Sequence, residues 1–163
     1  MLSEVSGMLP LCQYPPEAPL SELFESACAR LNPQWAAGPL LPAPEFIFAS
    51  DGRRLLFGLR SQTAALCDDS PAGRFVSGLW EQDVAELFIL DRDGVAYQEF
   101  NLSPTGAWWT MKFSAERKSD IETFKMPRRV ETFSRRGDSS WCSAITVDLS
   151  ELSINFDPDN SAR

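Results

Sequence analysis

The chain has 163 residues, of which 44% are hydrophobic and 23% charged, and its formal net charge is −8. A single soluble domain of this size can bury a core without disulfides or metals. The acidic balance repels nucleic acid and anionic membranes, so neither is expected as a partner. The lack of any histidine excludes Ser-His-Asp and Cys-His catalysis, His-ligated haem and most zinc sites.

The cysteines and the N-terminal residues bear on the cellular compartment. Cys12, Cys28, Cys67 and Cys142 contain no CxxC pair and no metal-ligand spacing, which favours free thiols in a reducing compartment. The N-terminal residues lack the basic stretch of a secretion signal, and no run approaches the ~20 apolar residues of a membrane helix. We therefore expect a cytoplasmic protein that uses no cofactor.

The N-terminal part of the chain predicts loops around one short helix. Four prolines within residues 10–19 oppose regular structure. Ser21 is a suitable N-cap for a helix over residues 21–30, and Arg30 in its last turn complements the helix dipole. The apolar face of this helix would consist of Leu23, Phe24, Ala27 and Leu31.

From residue 45 onward the pattern is typical of strands. Residues 45–50 and 53–60 predict a hairpin about the Asp51-Gly52 turn. Residues 83–113 predict a three-stranded antiparallel meander, whose first strand is apolar on both faces apart from Glu86 and is therefore expected to be central. Regular alternation returns over residues 141–149. Many short strands with turn signals indicate an all-β antiparallel sandwich.

Two adjacent tryptophans on the last meander strand must point to opposite faces of the sheet. Trp109 shares its face with Met111 and Phe113, and this apolar set is predicted to lie in the core. Trp108 shares the other face with Lys112, so we expect Trp108 to lie outside the core. There it would be either covered by a loop or part of a platform that binds a ligand.

The two preceding strands add polar groups. Glu99 and Asn101 share one face of the second strand, and Glu86 is the single carboxylate of the first. A carboxylate in such an apolar strand must find a donor or change its pKa, so Glu86 belongs to a buried ion pair or accepts hydrogen bonds from a ligand. Aromatic, carboxylate, amide and cationic groups on one sheet face suit sugars, whose apolar ring faces stack on tryptophan.

The segment over residues 78–117 also carries a specific motif. It reads GLWEQDVAELFI, then YQEFNLSPTGAWWTMKF, then ER. In this pattern the chain resembles the DOMON-like proteins related to family 9 carbohydrate-binding modules. The matching positions are Trp80, Glu86, Leu87, Phe88, Tyr97, Glu99, Phe100, Asn101, Ser103, Pro104, Gly106, Trp108, Phe113 and Arg117.

The resemblance implies a jelly-roll-like β-sandwich with a non-catalytic sugar-binding face. Stacking and hydrogen bonding of this kind require no metal at the contact, so none is expected. In family 9 modules a tryptophan and a carboxylate six residues later contact the sugar, and Trp80 and Glu86 have that spacing. Taken together with the strand faces, the residues expected to bind carbohydrate are Trp80, Glu86, Glu99, Asn101, Trp108, Lys112 and Arg117.

Family members usually continue with two more strands beyond the point where this sequence stops. We therefore expect one domain over residues 1–163 that either lacks its last C-terminal strands or is truncated before them. Missing strands would leave an open sheet edge, through which two copies of the chain could pair as a dimer.

Three alternatives to carbohydrate binding stay open. A DOMON-like interaction or structural domain would keep the fold without a ligand, and loops would then bury both Trp80 and Trp108. A glycosidase would use Glu86 and Glu99 as paired carboxylates about 5–10 Å apart, although a flat sheet face offers no cleft. Haem binding would require a methionine as axial ligand, either Met111 or Met126.

Overall fold

The computed structural model describes residues 11–16, 18–25, 29–30 and 42–156, which form an all-β sandwich of two sheets. The larger sheet has six strands, which are β1 (Cys12–Gln13), β2 (Ala29–Arg30), β3 (Glu45–Ser50), β4 (Arg54–Ser61), β9 (Val130–Arg136) and β10 (Trp141–Asp148). Strands β3, β4, β10 and β9 are antiparallel neighbours in that order, while β1 (parallel) and β2 (antiparallel) pair with β3. The predicted all-β sandwich is thus confirmed.

The smaller sheet is a four-stranded antiparallel meander. Its strands lie in the order β5 (Ala85–Leu90), β6 (Tyr97–Leu102), β7 (Trp108–Ala115) and β8 (Lys118–Ser119). The prediction that β5 is a central strand is wrong, because β5 lies at the edge of the sheet. Its outward residues Phe88 and Leu90 are 56% and 57% exposed. The strand is therefore buried on its inward face only, although both of its faces carry apolar side chains.

The hairpin over residues 103–107 sets the register between β6 and β7. Gly106 adopts the left-handed conformation that this turn needs, with φ at +83°. A Cβ atom on Gly106 would lie 3.1 Å from the Ser134 hydroxyl oxygen of β9, so the hairpin tip packs tightly against the larger sheet. The resulting register places Leu102 directly opposite Trp108.

The sandwich core lies between the two sheets and is formed by the side chains that point inward from both. Its buried members include Phe46, Phe48, Leu55, Phe57, Leu87, Ile89, Phe100, Leu102, Trp108, Trp141, Ile145 and Val147. The segment after β10 adds to this core. Its Ile154 is buried, and the ring of Phe156 packs edge-to-face on Phe48 with the ring centroids 6.2 Å apart.

A buried polar pair links the inner sides of β6 and β7. Gln98 and Thr110 have no exposed surface, and Gln98 Nε2 donates to Thr110 Oγ1 at 3.1 Å. Thr110 Oγ1 donates to the Glu99 carbonyl at 2.6 Å, and Gln98 Oε1 accepts from the Ser153 backbone N–H at 2.8 Å. Each side-chain polar atom of the pair therefore has a partner, as burial requires.

The N-terminal segment covers the outer face of the larger sheet. We call this surface the covered face; its residues point away from the sandwich core and are Ile47, Ala49, Leu56 and Ala144. The buried side chains that pack over it are Tyr14, Leu20 and Leu23. The larger sheet is thus buried on both of its faces over this region, and its strands are apolar in both directions for that reason.

The predicted helix over residues 21–30 is only partly correct. A 3-10 helix runs over Leu20–Glu25, and Ala29–Arg30 instead forms β2, which pairs with β3. Pairing with an existing sheet outweighs the local preference for a longer helix, since intrinsic helix propensity is a weak force. The predicted apolar contacts of Ala27 and Leu31 lie outside the described residues. No helix in the described part of the chain combines the length and apolarity of a membrane span.

Candidate functional site

The outer face of the smaller sheet presents three rows of side chains, each with one residue from β5, β6 and β7. The first row is Glu86, Asn101 and Trp109, the second is Phe88, Glu99 and Met111, and the third is Leu90, Tyr97 and Phe113. Adjacent strands lie about 4.8 Å apart and successive rows about 7 Å apart. We call these rows, together with Trp80, Glu116 and Arg117, the groove face.

Two tryptophans meet at one end of the groove face. Trp80 lies in the 3-10 helix Leu79–Glu81, which is anchored by the buried side chain of Leu79. The Trp80 side chain is 48% exposed. Its ring packs edge-to-face on Trp109, with the ring centroids 5.1 Å apart and the planes at 69°. This favourable aromatic geometry fixes the two rings as one surface.

A second group of aromatic rings lies at the other end. Tyr97 and Phe113 stack with their centroids 4.8 Å apart and their planes at 7°, and the Phe88 centroid lies 5.9 Å from that of Tyr97. The turn after β7 brings Arg117 to this end, where its backbone N–H donates to the Tyr97 hydroxyl at 3.4 Å. Arg117 has φ at +57°, an uncommon conformation for a residue other than glycine.

Two carboxylates lie beside these aromatic groups, Glu86 in the Trp109 row and Glu99 in the row between the two ends. Glu99 Oε1 accepts a hydrogen bond from Asn101 Nδ2 at 3.0 Å, and Asn101 has no exposed surface. The pKa of Glu99 is raised, mainly because burial disfavours the charged carboxylate and also because Glu86 is negatively charged. The hydrogen bond from Asn101 lowers the pKa but does not cancel this rise. Glu99 therefore keeps its proton to a higher pH than an ordinary glutamate.

These side chains enclose an open groove of about 630 Å³. This volume is within the range of about 300–1,000 Å³ that is common for small-molecule sites. The residues that line the groove are Trp80, Glu86, Phe88, Tyr97, Glu99, Trp109, Phe113, Glu116 and Arg117. Their ring faces can pack on an apolar ligand surface, their carboxylates can accept hydrogen bonds, and the guanidinium can donate them.

The structure brings together most of the residues that the sequence analysis selected. Trp80, Glu86, Glu99 and Arg117 all line the groove. Asn101 lies on the same face, where it is buried and holds Glu99 rather than facing the groove directly. The binding of a ligand by these residues stays a prediction.

The predicted position of Trp108 outside the core is wrong. Trp108 is 6% exposed, and its ring packs edge-to-face on Phe75 with the centroids 5.2 Å apart. Its Nε1 donates to the Gly73 carbonyl at 3.2 Å, so the loop before the smaller sheet supplies the acceptor that a buried indole needs. The face exposed in its place carries the set predicted to be core, which is Trp109, Met111 and Phe113.

The predicted contribution of Lys112 to the ligand face is also wrong. Lys112 belongs to the inward-facing set of β7, near the end of the strand, where Gln98 lies opposite it. Its Nζ forms an ion pair with Asp120 at 3.2 Å and donates to Thr123 Oγ1 at 2.7 Å. The ammonium group thus binds to side chains of the loop after β8, and Lys112 does not line the groove.

The sequence-based site set omitted five side chains that line the groove. These are Phe88, Tyr97, Trp109, Phe113 and Glu116. A signal for some of them was present, because a five-residue hairpin between residues 102 and 108 pairs Leu102 with Trp108. Directly opposed residues share a face, so this register assigns Trp108 to the apolar side of Leu102 and Trp109 to the side of Asn101.

Comparison with known proteins gives a fold but no family. No family model matches the chain, and no curated protein matches its sequence. The chain is similar to a solved structure from Bacteroides uniformis, described as a "putative carbohydrate-binding protein". The two superpose with a TM-score of 0.56 over 86% of this chain and 72% of the other, at 17% sequence identity. At that identity the similarity is one of fold.

Proposed function

We propose that this chain is a non-catalytic carbohydrate-binding domain and that it holds its sugar on the groove face. The observation that carries the proposal is the exposed pair of Trp80 and Trp109 beside the carboxylates of Glu86 and Glu99. The C–H faces of a pyranose pack on such rings, and its hydroxyl groups donate to carboxylate oxygens. The fold shared with the Bacteroides uniformis protein, whose description names carbohydrate binding, supports the proposal.

We further propose that the chain is related to the DOMON-like proteins and family 9 modules that its motif resembles. The tryptophan and the carboxylate on which that resemblance depends, Trp80 and Glu86, line the same groove. In this chain Trp109 would provide a second stacking surface beside Trp80.

The length of the groove face suits more than one sugar ring. The Trp109 row and the Tyr97 row are separated by four residues along the strands, or roughly 13 Å. Each end carries its own aromatic surface, and Glu99 lies midway between them. A disaccharide or a longer chain could therefore contact both ends at once.

Titration with sugars tests the proposal directly. Tryptophan fluorescence and calorimetry are followed for a panel of monosaccharides and oligosaccharides, since two of the tryptophans, Trp80 and Trp109, lie in the groove. We expect at least one sugar to change the emission. Trp80→Ala should weaken binding of that sugar about tenfold or more, because a central aromatic contact is worth at least about 1.4 kcal/mol.

Phe75→Ala is the matched control, because Phe75 is also an exposed aromatic residue, at 40%, but packs on Trp108 away from the groove. Its sugar affinity should equal that of the unmodified chain. A panel without any ligand would contradict the proposal. Hydrolysis of a bound oligosaccharide that is lost in Glu86→Gln and Glu99→Gln would make the groove a glycosidase site instead, since both carboxylates lie on one face.

A further inference from the structure

The charged side chains of the groove are predominantly acidic. Glu86, Glu99 and Glu116 line it, against one cationic side chain, that of Arg117. Arg117 lies at the Tyr97 end, whereas Glu86 lies in the Trp109 row, two rows away. The lining of the groove thus carries three carboxylates against one guanidinium.

Glu99 lies in a setting that leaves its carboxylate short of donors. The side chains opposite it in its row are Phe88 and Met111, and neither can donate a hydrogen bond. Among the described residues, Asn101 Nδ2 is the donor that reaches it. The other charged group that acts on it is Glu86, which repels it. A cationic N–H donor in the groove would supply Glu99 with a further hydrogen bond and would also offset its repulsion by Glu86.

Asn101 carries a further hydrogen-bond acceptor that has no donor. It is fully buried, its Nδ2 is used by Glu99, and its Oδ1 has no donor among the described residues. A buried acceptor without a donor is destabilising and uncommon in folded proteins. The groove thus presents two carboxylates with few donors, and the unpartnered Asn101 oxygen on the same sheet face adds to the negative potential that a cationic ligand would neutralise.

The aromatic rings fit the same ligand. The face of an indole or phenol ring carries partial negative charge, which attracts an ammonium group placed over it. Trp80 and Trp109 present such rings beside Glu86, and Tyr97 and Phe113 present two more beside Glu99. Rings beside carboxylates discriminate in favour of a cation, whereas a neutral sugar would use the stacking surface and the hydrogen-bond acceptors but gain nothing from the negative charge.

We propose that the groove face binds an organic ammonium ligand, and that the ligand is an amino sugar with a free, protonated amino group. The choice of an amino sugar rests on the proposed carbohydrate-binding function, because this class combines the ammonium group with the stacking face and hydroxyls of a pyranose. Sugars with a carboxylate, such as uronic acids, are excluded by repulsion from Glu86 and Glu99.

The test compares ligands that differ only in the charge of one substituent. Binding of glucosamine, N-acetylglucosamine, glucose and glucuronic acid is measured by calorimetry at about pH 6, where the free amine is protonated. We expect glucosamine to bind at least tenfold more tightly than N-acetylglucosamine or glucose, and glucuronic acid to bind most weakly. The preference for glucosamine should shrink as salt is raised, because salt screens the charges.

Variants locate the effect. Glu86→Gln and Glu99→Gln should each remove most of the preference, bringing the affinities for glucosamine and glucose to within about twofold of each other, because glutamine keeps the shape of the side chain without its charge. Glu122→Gln, at an exposed position in the loop after β8 that does not line the groove, is the control. It should retain the full preference for glucosamine.

A second set of ligands separates the failure of this inference from failure of the proposed function. Choline and tetramethylammonium carry the charge without the sugar. Neutral sugars that bind as tightly as glucosamine would overturn the inference and leave carbohydrate binding intact. Quaternary ammonium compounds that bind in a Glu99-dependent way, without any sugar, would support ammonium recognition but overturn its assignment to amino sugars. No binding of any of these ligands would overturn both proposals.

Discussion

The two outer faces of this sandwich are both apolar, yet one is covered and the other is open. On the covered face, Ile47 and Leu56 are 1% and 0% exposed, because Leu23 and its neighbours pack over them. On the groove face, Trp80 and Phe88 are 48% and 56% exposed. Exposed apolar surface of this kind in a soluble protein usually marks a binding site.

The kinds of residue on each face explain the difference. The covered face uses small and aliphatic side chains, and it includes Gly58, where an added Cβ atom would lie 2.8 Å from Cζ of Phe24. The groove face places Glu86 and Glu99 among its rings. An apolar segment laid across these carboxylates would remove their charges from water without compensation. The carboxylates therefore keep the groove available to polar ligands rather than to the chain itself.

The largest expected effect comes from removing the contact that seals the covered face. Leu23→Ala should lower the free energy of unfolding by about 2–5 kcal/mol, because Leu23 is completely buried and its loss leaves a cavity. Phe88→Ala on the groove face should change it by no more than about 0.5 kcal/mol. Urea unfolding of both variants measures the contrast. Similar losses in the two variants would mean that the groove face is also structural.

A smaller effect distinguishes the inner and outer tryptophans of β7. Trp108→Phe should lower the free energy of unfolding by about 1–3 kcal/mol, since it removes buried ring volume and the hydrogen bond to the Gly73 carbonyl. Trp109→Phe should leave stability within about 0.5 kcal/mol and weaken sugar binding. Chemical denaturation and sugar titration are run on both variants. Loss of sugar binding in Trp108→Phe alone would reverse the assignment of the two faces.

The smallest effect is a change of stability with pH at Glu99. Its pKa is raised in the folded chain, so ionisation opposes folding once the pH passes the unfolded value of about 4.3. Stability is not reduced at a pH below the pKa of Glu99 in the unfolded chain. It is reduced by the full amount at a pH above the pKa of Glu99 in the folded chain. Glu99→Gln removes it, so the melting temperature of the variant should exceed that of the unmodified chain by a margin that widens between about pH 4 and pH 8.

Glu122→Gln controls for the loss of one negative charge from an acidic chain. Its melting temperature should follow that of the unmodified chain at every pH. A Glu99→Gln margin that stays constant with pH, or narrows as the pH rises, would contradict the assigned environment of Glu99.

Local turn chemistry explains why the hairpin over residues 45–60 and the meander over residues 83–113 could be predicted from the sequence. The Asp51-Gly52 turn joins β3 to β4, and the turn over residues 103–107 joins β6 to β7, as expected. Such turns depend on a few adjacent residues, and alternation then gives the strands on either side. Part of the groove was predictable for a similar reason, because Trp80 and Glu86 belong to one contiguous motif.

The face of each strand that turns inward could not be predicted from alternation alone. Alternation divides β7 into two sets but does not say which set meets the other sheet. Thr110 shares a face with Trp108 and Lys112, which was predicted to point outward, yet it is fully buried, and a hydrogen bond from Gln98 satisfies its hydroxyl there. The apolar β5 suggested a central strand, whereas Phe88 is exposed on an edge strand. Both outcomes depend on long-range pairing that no local pattern contains.

The buried hydrogen bond between Gln98 and Thr110 has a consequence for how the protein can evolve. A slip of β6 by one residue would turn Gln98 outward, away from Thr110, and bring the carboxylate of Glu99 into the core, which is strongly unfavourable. The register between β6 and β7 is therefore specified largely by buried residues on the inward face of the sheet. The outward aromatic residues contribute little to this register, so mutation can change the ligand that they select while the fold persists.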